Sequence, residues 1–316
     1  MIGHDALFQA THRPDNALLY RRRDPNDRRL GEIVQSNPKA YANAEFVLLG
    51  FPQDEGIRRN SGRPGAAQAP DAIRGCLYKF TVQGLEDIRL FDLGNTGAQP
   101  LLEAAHDTHQ QIVQRVIADG KTLIVMGGGN DISYPDCAGL AEAIPNPLAF
   151  NVDAHYDVRA DTPRNSGTPY RQLLEEGIVT PARFYEMGSQ PFANSPVYTR
   201  YLREKGAHIV PIGELRAGGV VAVFERILSE TAAEAIFWGL DMDVVRAADA
   251  PGVSAPNPTG LFGDELCAIS AAAGRDPRSR LLELSEVNPE YDVDQRTCRL
   301  AAAVLWSFMA ARKGMA

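Results

Sequence analysis

In FNVDAHYDVR, residues 150–159, Asp153, His155 and Asp157 follow one another at steps of two, directly after the apolar Phe150 and Val152. An extended chain points alternate side chains the same way, so this spacing gathers two carboxylates and an imidazole at a strand's carboxyl end. FWGLDMDVV supplies Asp241 and Asp243, again two apart and again after an apolar run. Taken singly, each acid reads as a helix cap or a salt-bridge partner. Together, four carboxylates repel one another unless positive charge lies between them, and two divalent cations would balance them formally. Oxygen and imidazole donors suit Mn²⁺ or a similar borderline ion better than a thiolate-preferring one. D-x-H-x-D with D-x-D is therefore expected to build a dinuclear metal site.

A third polar cluster ends the run TLIVMGGGNDISYP, residues 122–135, where Gly127, Gly128 and Gly129 precede Asn130 and Asp131. A Walker-type phosphate loop needs G-x-x-x-x-G-K-[ST], and neither Lys nor Ser/Thr stands in place. The glycines are expected instead to let a strand end turn tightly beside the metals.

These motifs need elements to carry them. Apolar runs at 44–50, 88–94, 121–128, 147–155, 183–189, 207–213, 235–243 and 280–289 read as about eight buried strands. Between them lie helical patterns, such as Leu102, Ala105, His109, Ile112 and Val116, and another at 219–233. Alternation of strand and helix predicts an α/β fold, a three-layer α/β/α arrangement around a mainly parallel sheet. Periodicity leaves open whether the units close into a barrel; in both cases ligands gather at the carboxyl ends of the strands. Ala302, Leu305, Trp306, Met309 and Ala310 predict a closing helix over 293–312. Residues 1–42, with Arg21, Arg22, Arg23, Arg28 and Arg29 among acids and prolines, are expected to form a surface-wrapping extension, and 43–316 a single domain.

Composition narrows the partners. With 40 acidic against 32 basic residues the net charge is -8, which argues against a duplex nucleic-acid binder and for small molecules or divalent cations. No apolar run approaches the roughly 20 residues that a membrane-spanning helix needs. The amino terminus, MIGHDALFQATHRPDN, is too polar for a signal peptide, so a soluble, cytoplasmic protein is expected. Cys76, Cys137, Cys267 and Cys298 lack a CxxC pair and read as structural thiols.

VDAHYDVR, LDMDVV and the later SEVNPEYD resemble the ureohydrolase family of arginases, agmatinases and formimidoylglutamases, from about residue 45 onward. GFPQDEGIRRNSGRPGAAQAPDAIR and NSGTPYRQLLEEG look most like the formimidoylglutamase branch, which cleaves N-formimidoyl-L-glutamate to glutamate and formamide. The resemblance implies an open, doubly wound eight-stranded sheet, a homo-oligomer (trimer or hexamer), and two Mn²⁺ ions bridged by hydroxide. Carried over residue by residue, Asp153 and Asp241 would bridge both metals, Asp157 would complete the first site, and His155 with Asp243 the second. Glu286, in EVNP, would accept hydrogen bonds from the substrate's cationic formimino group, and Asp157 would pass a proton from water to the leaving amine. The family's GG-x-H places a histidine ligand of the first metal where this chain has Asn130, and arginase's proton-shuttling histidine falls at Tyr170. Asn130 can ligate through its neutral oxygen and leave a weak site, hold a water, or leave the site empty.

A dicarboxylate substrate calls for guanidinium forks. Arg58, Arg59, Arg63, Arg159 and Arg171 are the candidates, with Asn165 and Ser166 beside them; each arginine can equally be a surface ion pair. Two other readings stay open: an agmatinase or other guanidino hydrolase, whose pocket would want acids in place of arginines, and a metal-poor, non-catalytic relative that binds a ligand or a partner subunit.

Overall fold

The computed structural model describes residues 1–315. Nine strands form one sheet: β1 (Thr11–His12), β2 (Phe46–Gly50), β3 (Leu90–Thr96), β4 (Thr122–Met126), β5 (Leu148–Val152), β6 (Phe184–Met187), β7 (His208–Val210), β8 (Ile236–Asp241) and β9 (Ser279–Ser285). Their order is β1-β3-β2-β4-β9-β8-β5-β6-β7. All eight expected runs are strands, parallel to their neighbours, and the sheet stays open. The ninth, β1, comes from the amino-terminal extension and pairs antiparallel with β3 through Thr11 and Thr96.

Period-two alternation sets the layers. In β4, Ile124 and Met126 join one apolar cluster, while Leu123 and Val125 join another on the opposite face. Helices cover both: Ala69–Leu77, Val220–Glu230, Gly263–Arg275 and Arg296–Arg312 on the first face, Leu102–Ala118, Ser133–Ala143 and Pro169–Glu175 on the second. Strands buried on both faces explain why their sequences read as unbroken apolar runs. The extension does more than wrap the surface, since Leu7 and Tyr41 are buried and Tyr41 packs edge-on against Phe91. Its arginine run, Arg21 to Arg23, is exposed. Among the described residues no helix is long and apolar enough to cross a membrane.

Register brings the polar motifs together. Met126 pairs with Leu284, Leu284 with Leu240, and Leu240 with Val152, so β4, β9, β8 and β5 end in one row. The residues just beyond that row are the glycine loop with Asn130, Ser285 and Glu286, Asp241 with Asp243, and Asp153 to Asp157.

Candidate metal centre

At two of these strand ends one device recurs. Asp153 Oδ1 accepts the backbone N–H of His155, and Asp241 Oδ1 accepts that of Asp243, each at 2.7 Å. The short step of two thus locks one carboxylate oxygen onto the turn and aims the other inward. Ligand atoms converge in two sets, Asp153 with His155 and Asp243, and Asp153 with Asp157 and Asp241, each within 4.8 Å. Asp153 belongs to both.

Burial makes this cluster expensive without a cation. Desolvation first, and then the neighbouring acids, push Asp153 and Asp241 well above the usual carboxylate range, and burial pushes Asp157 up to about 6. Asp243 chiefly, despite an opposing desolvation effect, raises the His155 imidazole far above its ordinary value; Nδ1 lies 3.1 Å from Asp243 Oδ2 and 3.3 Å from Asp153 Oδ1. A proton there occupies the position that a cation would take. Asp243 Oδ1 is buried with no hydrogen-bond partner. An orphaned buried acceptor beside hard oxygen and imidazole donors fits two divalent cations.

The protonation pattern has a measurable sign. Asp153, Asp157, Asp241 and Glu286 hold their protons to higher pH folded than unfolded, so the metal-free folded chain binds more protons and loses stability as pH rises. The decline begins near the ordinary aspartate value of about 4 and passes through about 6 for Asp157. His155 acts in the same sense, because its stabilising charge is lost as pH climbs through its raised value. Cations displace these protons. The gap in melting temperature between metal-loaded and metal-stripped protein therefore widens from about pH 5 to about pH 8; a gap that narrows in scanning fluorimetry contradicts this picture.

The glycine run does what a tight turn requires. A Cβ on Gly128 would lie 1.7 Å from the carbonyl oxygen of Gln53, and the Gly128 carbonyl accepts the Glu286 N–H at 2.8 Å. Glu286 Oε1 in turn accepts the backbone N–H of Asn130 at 2.9 Å, so a carboxylate, not a phosphate, meets the start of this turn. Glu286 and Asp157 both have positive φ, 62° and 46°. For residues with a Cβ this is a strained conformation, and it is kept here at two of the residues facing the cleft.

Asn130 is oriented by its surroundings. Its Nδ2 donates to Asp157 Oδ2 at 2.7 Å and to Asp153 Oδ2 at 3.2 Å, while Oδ1 accepts from Ser133 and Ser285. The amide shows the acids its protons, not its oxygen. Tyr170 is fully buried, with its hydroxyl donating to Ser133 Oγ at 3.1 Å, in space that a side chain on Gly239 would fill. It lies behind the cluster and not in the cleft.

Above the acids is a cavity of about 280 Å³, whose walls include His155, Asp157, Asp241, Asp243 and Glu286. Of the residues expected to bind substrate, Arg159 and Ser166 line it. The others are engaged elsewhere. Arg58 points outward and pairs with Asp54, and Arg59 pairs with Glu103 at 2.6 Å and Glu55 at 3.2 Å. Arg63 donates to Ser254 O and lies over the Tyr291 ring; Arg171 lies over Tyr201 and donates to Val158 O. Asn165 is buried, its Oδ1 capping the turn at the Gly167 N–H. Asn60, Ser61 and Ser254 line the cavity without having been singled out in the sequence, although Asn60 and Ser61 sit inside the quoted RRNSGRPG stretch. Asn60 Nδ2 donates to Ser166 Oγ at 3.0 Å, tying two walls together.

Comparison with known proteins agrees with this geometry. The sequence model of the arginase family matches residues 44–311. A formimidoylglutamase of Rhodococcus jostii is 33% identical over 276 residues, covering 82% of this chain and 83% of that protein. A Trypanosoma cruzi formiminoglutamase structure with Mn²⁺₂ superposes with a TM-score of 0.86 at 34% identity, covering 91% of this chain and 99% of the other. Formimidoylglutamase from Bacillus subtilis gives 0.85 at 26% identity, covering 92% and 94%. With its eight parallel strands, its two carboxylate sets and a match over most of its length, this chain belongs to the arginase family.

Proposed function

We propose that this chain hydrolyses N-formimidoyl-L-glutamate to L-glutamate and formamide, with two Mn²⁺ ions held by Asp153, His155, Asp157, Asp241 and Asp243. The observation that carries the reading is the pair of ligand sets sharing Asp153 beneath a cleft that Arg159 overlooks. Asp153, Asp157 and Asp241 would hold the ion next to Asn130, and Asp153, His155 and Asp243 would hold the other. When bound, the ions would supply Lewis-acid charge and acidify a bound water.

The chain's own residues do the rest. Glu286 Oε1 is held by the Asn130 N–H, leaving Oε2 to accept from the cationic formimino group. Burial raises the Glu286 carboxyl, so a cationic partner is favoured there over a neutral one. Asp157, at the wall of the cleft, would take a proton from water and return it to the leaving amine. Arg159 clamps a carboxylate of the glutamate portion, with Ser166 and Asn60 offering weaker polar contacts. A guanidinium at the rim also disfavours substrates with a cationic tail, which separates this reading from agmatinase.

Kinetics on Arg159→Ala test the substrate assignment. Loss of a charge-assisted contact is expected to raise KM for formimidoylglutamate by about 10- to 100-fold with a smaller change in kcat. An unchanged KM, or improved turnover of formimidoylglutamate, removes Arg159 from the binding site.

A further inference from the structure

The acids and the imidazole of the cleft suit cations; the groups able to donate to an anion stand on the loops around them. Arg159 is one. The Gly167 carbonyl accepts its backbone N–H at 2.8 Å, a Cβ on Gly167 would lie 2.8 Å from its Cδ, and the neighbouring Ser166 is tied to Asn60, so these groups form one side. One guanidinium fork satisfies one carboxylate, and the proposed substrate carries two.

The loop between β8 and the helix Gly263–Arg275 offers another seat. Ser254 lines the cavity half-buried, and its Oγ accepts the backbone N–H of Arg63 at 2.9 Å. A backbone N–H can only donate, so the hydroxyl keeps its own proton for another partner, and among the described residues none takes it. The Arg63 side chain fixes this loop: Nε donates to the Ser254 carbonyl at 2.9 Å, Nη2 donates to the Val253 carbonyl, and the guanidinium lies 4.3 Å from the centroid of the Tyr291 ring. Asn288 Nδ2 donates to the Arg63 and Pro64 carbonyls at 2.9 and 3.1 Å, which holds the facing loop as well. Residue 62 must be small, since a Cβ on Gly62 would lie 2.6 Å from Ser254 Oγ. Arg63 pairs with no acid among the described residues, so an uncompensated positive charge stands beside the hydroxyl and favours an anion as its partner. Ser61 also reaches the wall, but it is exposed and its hydroxyl has no anchoring partner among the described residues.

We infer that Ser254 forms a second carboxylate subsite of the cleft, its hydroxyl donating to the carboxylate of the substrate that Arg159 does not hold. This rests on the dicarboxylate reading above. The two seats differ in kind. Arg159 supplies charge and contact together, whereas at Ser254 the contact comes from a neutral hydroxyl and the charge from Arg63, whose guanidinium is turned to the Ser254 and Val253 carbonyls.

Steady-state kinetics of the Mn²⁺-loaded, full-length protein test this on three compounds: N-formimidoyl-L-glutamate, N-formimidoyl-4-aminobutyrate, which lacks the α-carboxylate, and N-formimidoyl-L-2-aminobutyrate, which lacks the γ-carboxylate. Ser254→Ala is expected to raise KM for the dicarboxylate about tenfold, the scale of one hydrogen bond to a charged group, with kcat within about twofold of the parent. On one of the two analogues the Ser254→Ala effect should vanish while Arg159→Ala stays costly; on the other the two variants should exchange roles. An analogue that turns over too slowly is measured as a competitive inhibitor of the dicarboxylate, and the same pattern is expected in its inhibition constant. A merely structural Ser254 would cost the same factor on all three compounds, so a uniform loss overturns the inference. An unchanged KM for the dicarboxylate overturns it too, as does silence of both variants on the same analogue. If the metal-loaded parent protein does not cleave N-formimidoyl-L-glutamate, the functional reading fails and this inference fails with it. If it does, and Ser254→Ala shows no selective loss, the inference alone is wrong.

Discussion

Asp153→Asn is expected to abolish turnover while raising the melting temperature of the metal-free protein. The two effects share one cause. Asp153 is fully buried, contributes to both ligand sets, and has its carboxyl driven up first by desolvation and then by Asp243 and Asp157. Asparagine keeps an oxygen for the His155 N–H but removes the charge that a shared cation ligand must carry. Each metal is worth several kcal/mol of transition-state stabilisation, so losing both should cost at least about 10³-fold in kcat/KM. The same substitution relieves charge crowding, and near pH 8 a rise of roughly 2 °C or more is expected for the stripped protein. Kinetics and a thermal scan on one preparation check the two effects, and metal analysis checks their shared cause. Retained activity with two bound ions would exclude Asp153 as the shared ligand.

Glu286→Gln is expected to lower kcat by about 10²- to 10³-fold, the scale seen when one group that stabilises transition-state charge is removed. Bound metal should be unchanged, because Glu286 belongs to neither ligand set and glutamine can still accept the Asn130 N–H through its amide oxygen. This pairing of lost rate with intact metal separates a substrate-contacting carboxylate from a structural one. Loss of metal, or kcat within about threefold of the parent, would instead make Glu286 a scaffold for the turn it shares with Asn130.

Much of this architecture was readable before folding because its chemistry is local. The apolar runs that become β4, β5, β8 and β9 are continuous, since each strand is buried on both faces. The step of two in D-x-H-x-D and D-x-D survives intact as the Asp153 to His155 and Asp241 to Asp243 hydrogen bonds. What could not be read depends on distant partners. Strand β1 is two residues long, too short to show a period, and exists only because β3 offers an edge. Of the five arginines, Arg159 and Arg171 stood out in sequence for lying next to D-x-H-x-D, yet Arg171 is drawn to Tyr201, as Arg63 is to Ser254 and Tyr291, which leaves Arg159 at the cleft. The position of Asn130 was legible, but its facing was not. Its amide oxygen meets Ser133, three residues on, and Ser285, which lies 155 residues away and reaches it only because β4 and β9 are neighbours.

The central claim is tested most directly by incubating metal-stripped protein with Mn²⁺, counting bound ions, and assaying formamide and glutamate release from N-formimidoyl-L-glutamate beside arginine and agmatine. Filling of the position made by Asp153, His155 and Asp243, at least partial filling of the position beside Asn130, and turnover of the dicarboxylate alone are expected. A folded, metal-loaded protein that releases no formamide, or that cleaves arginine or agmatine in preference, would contradict it.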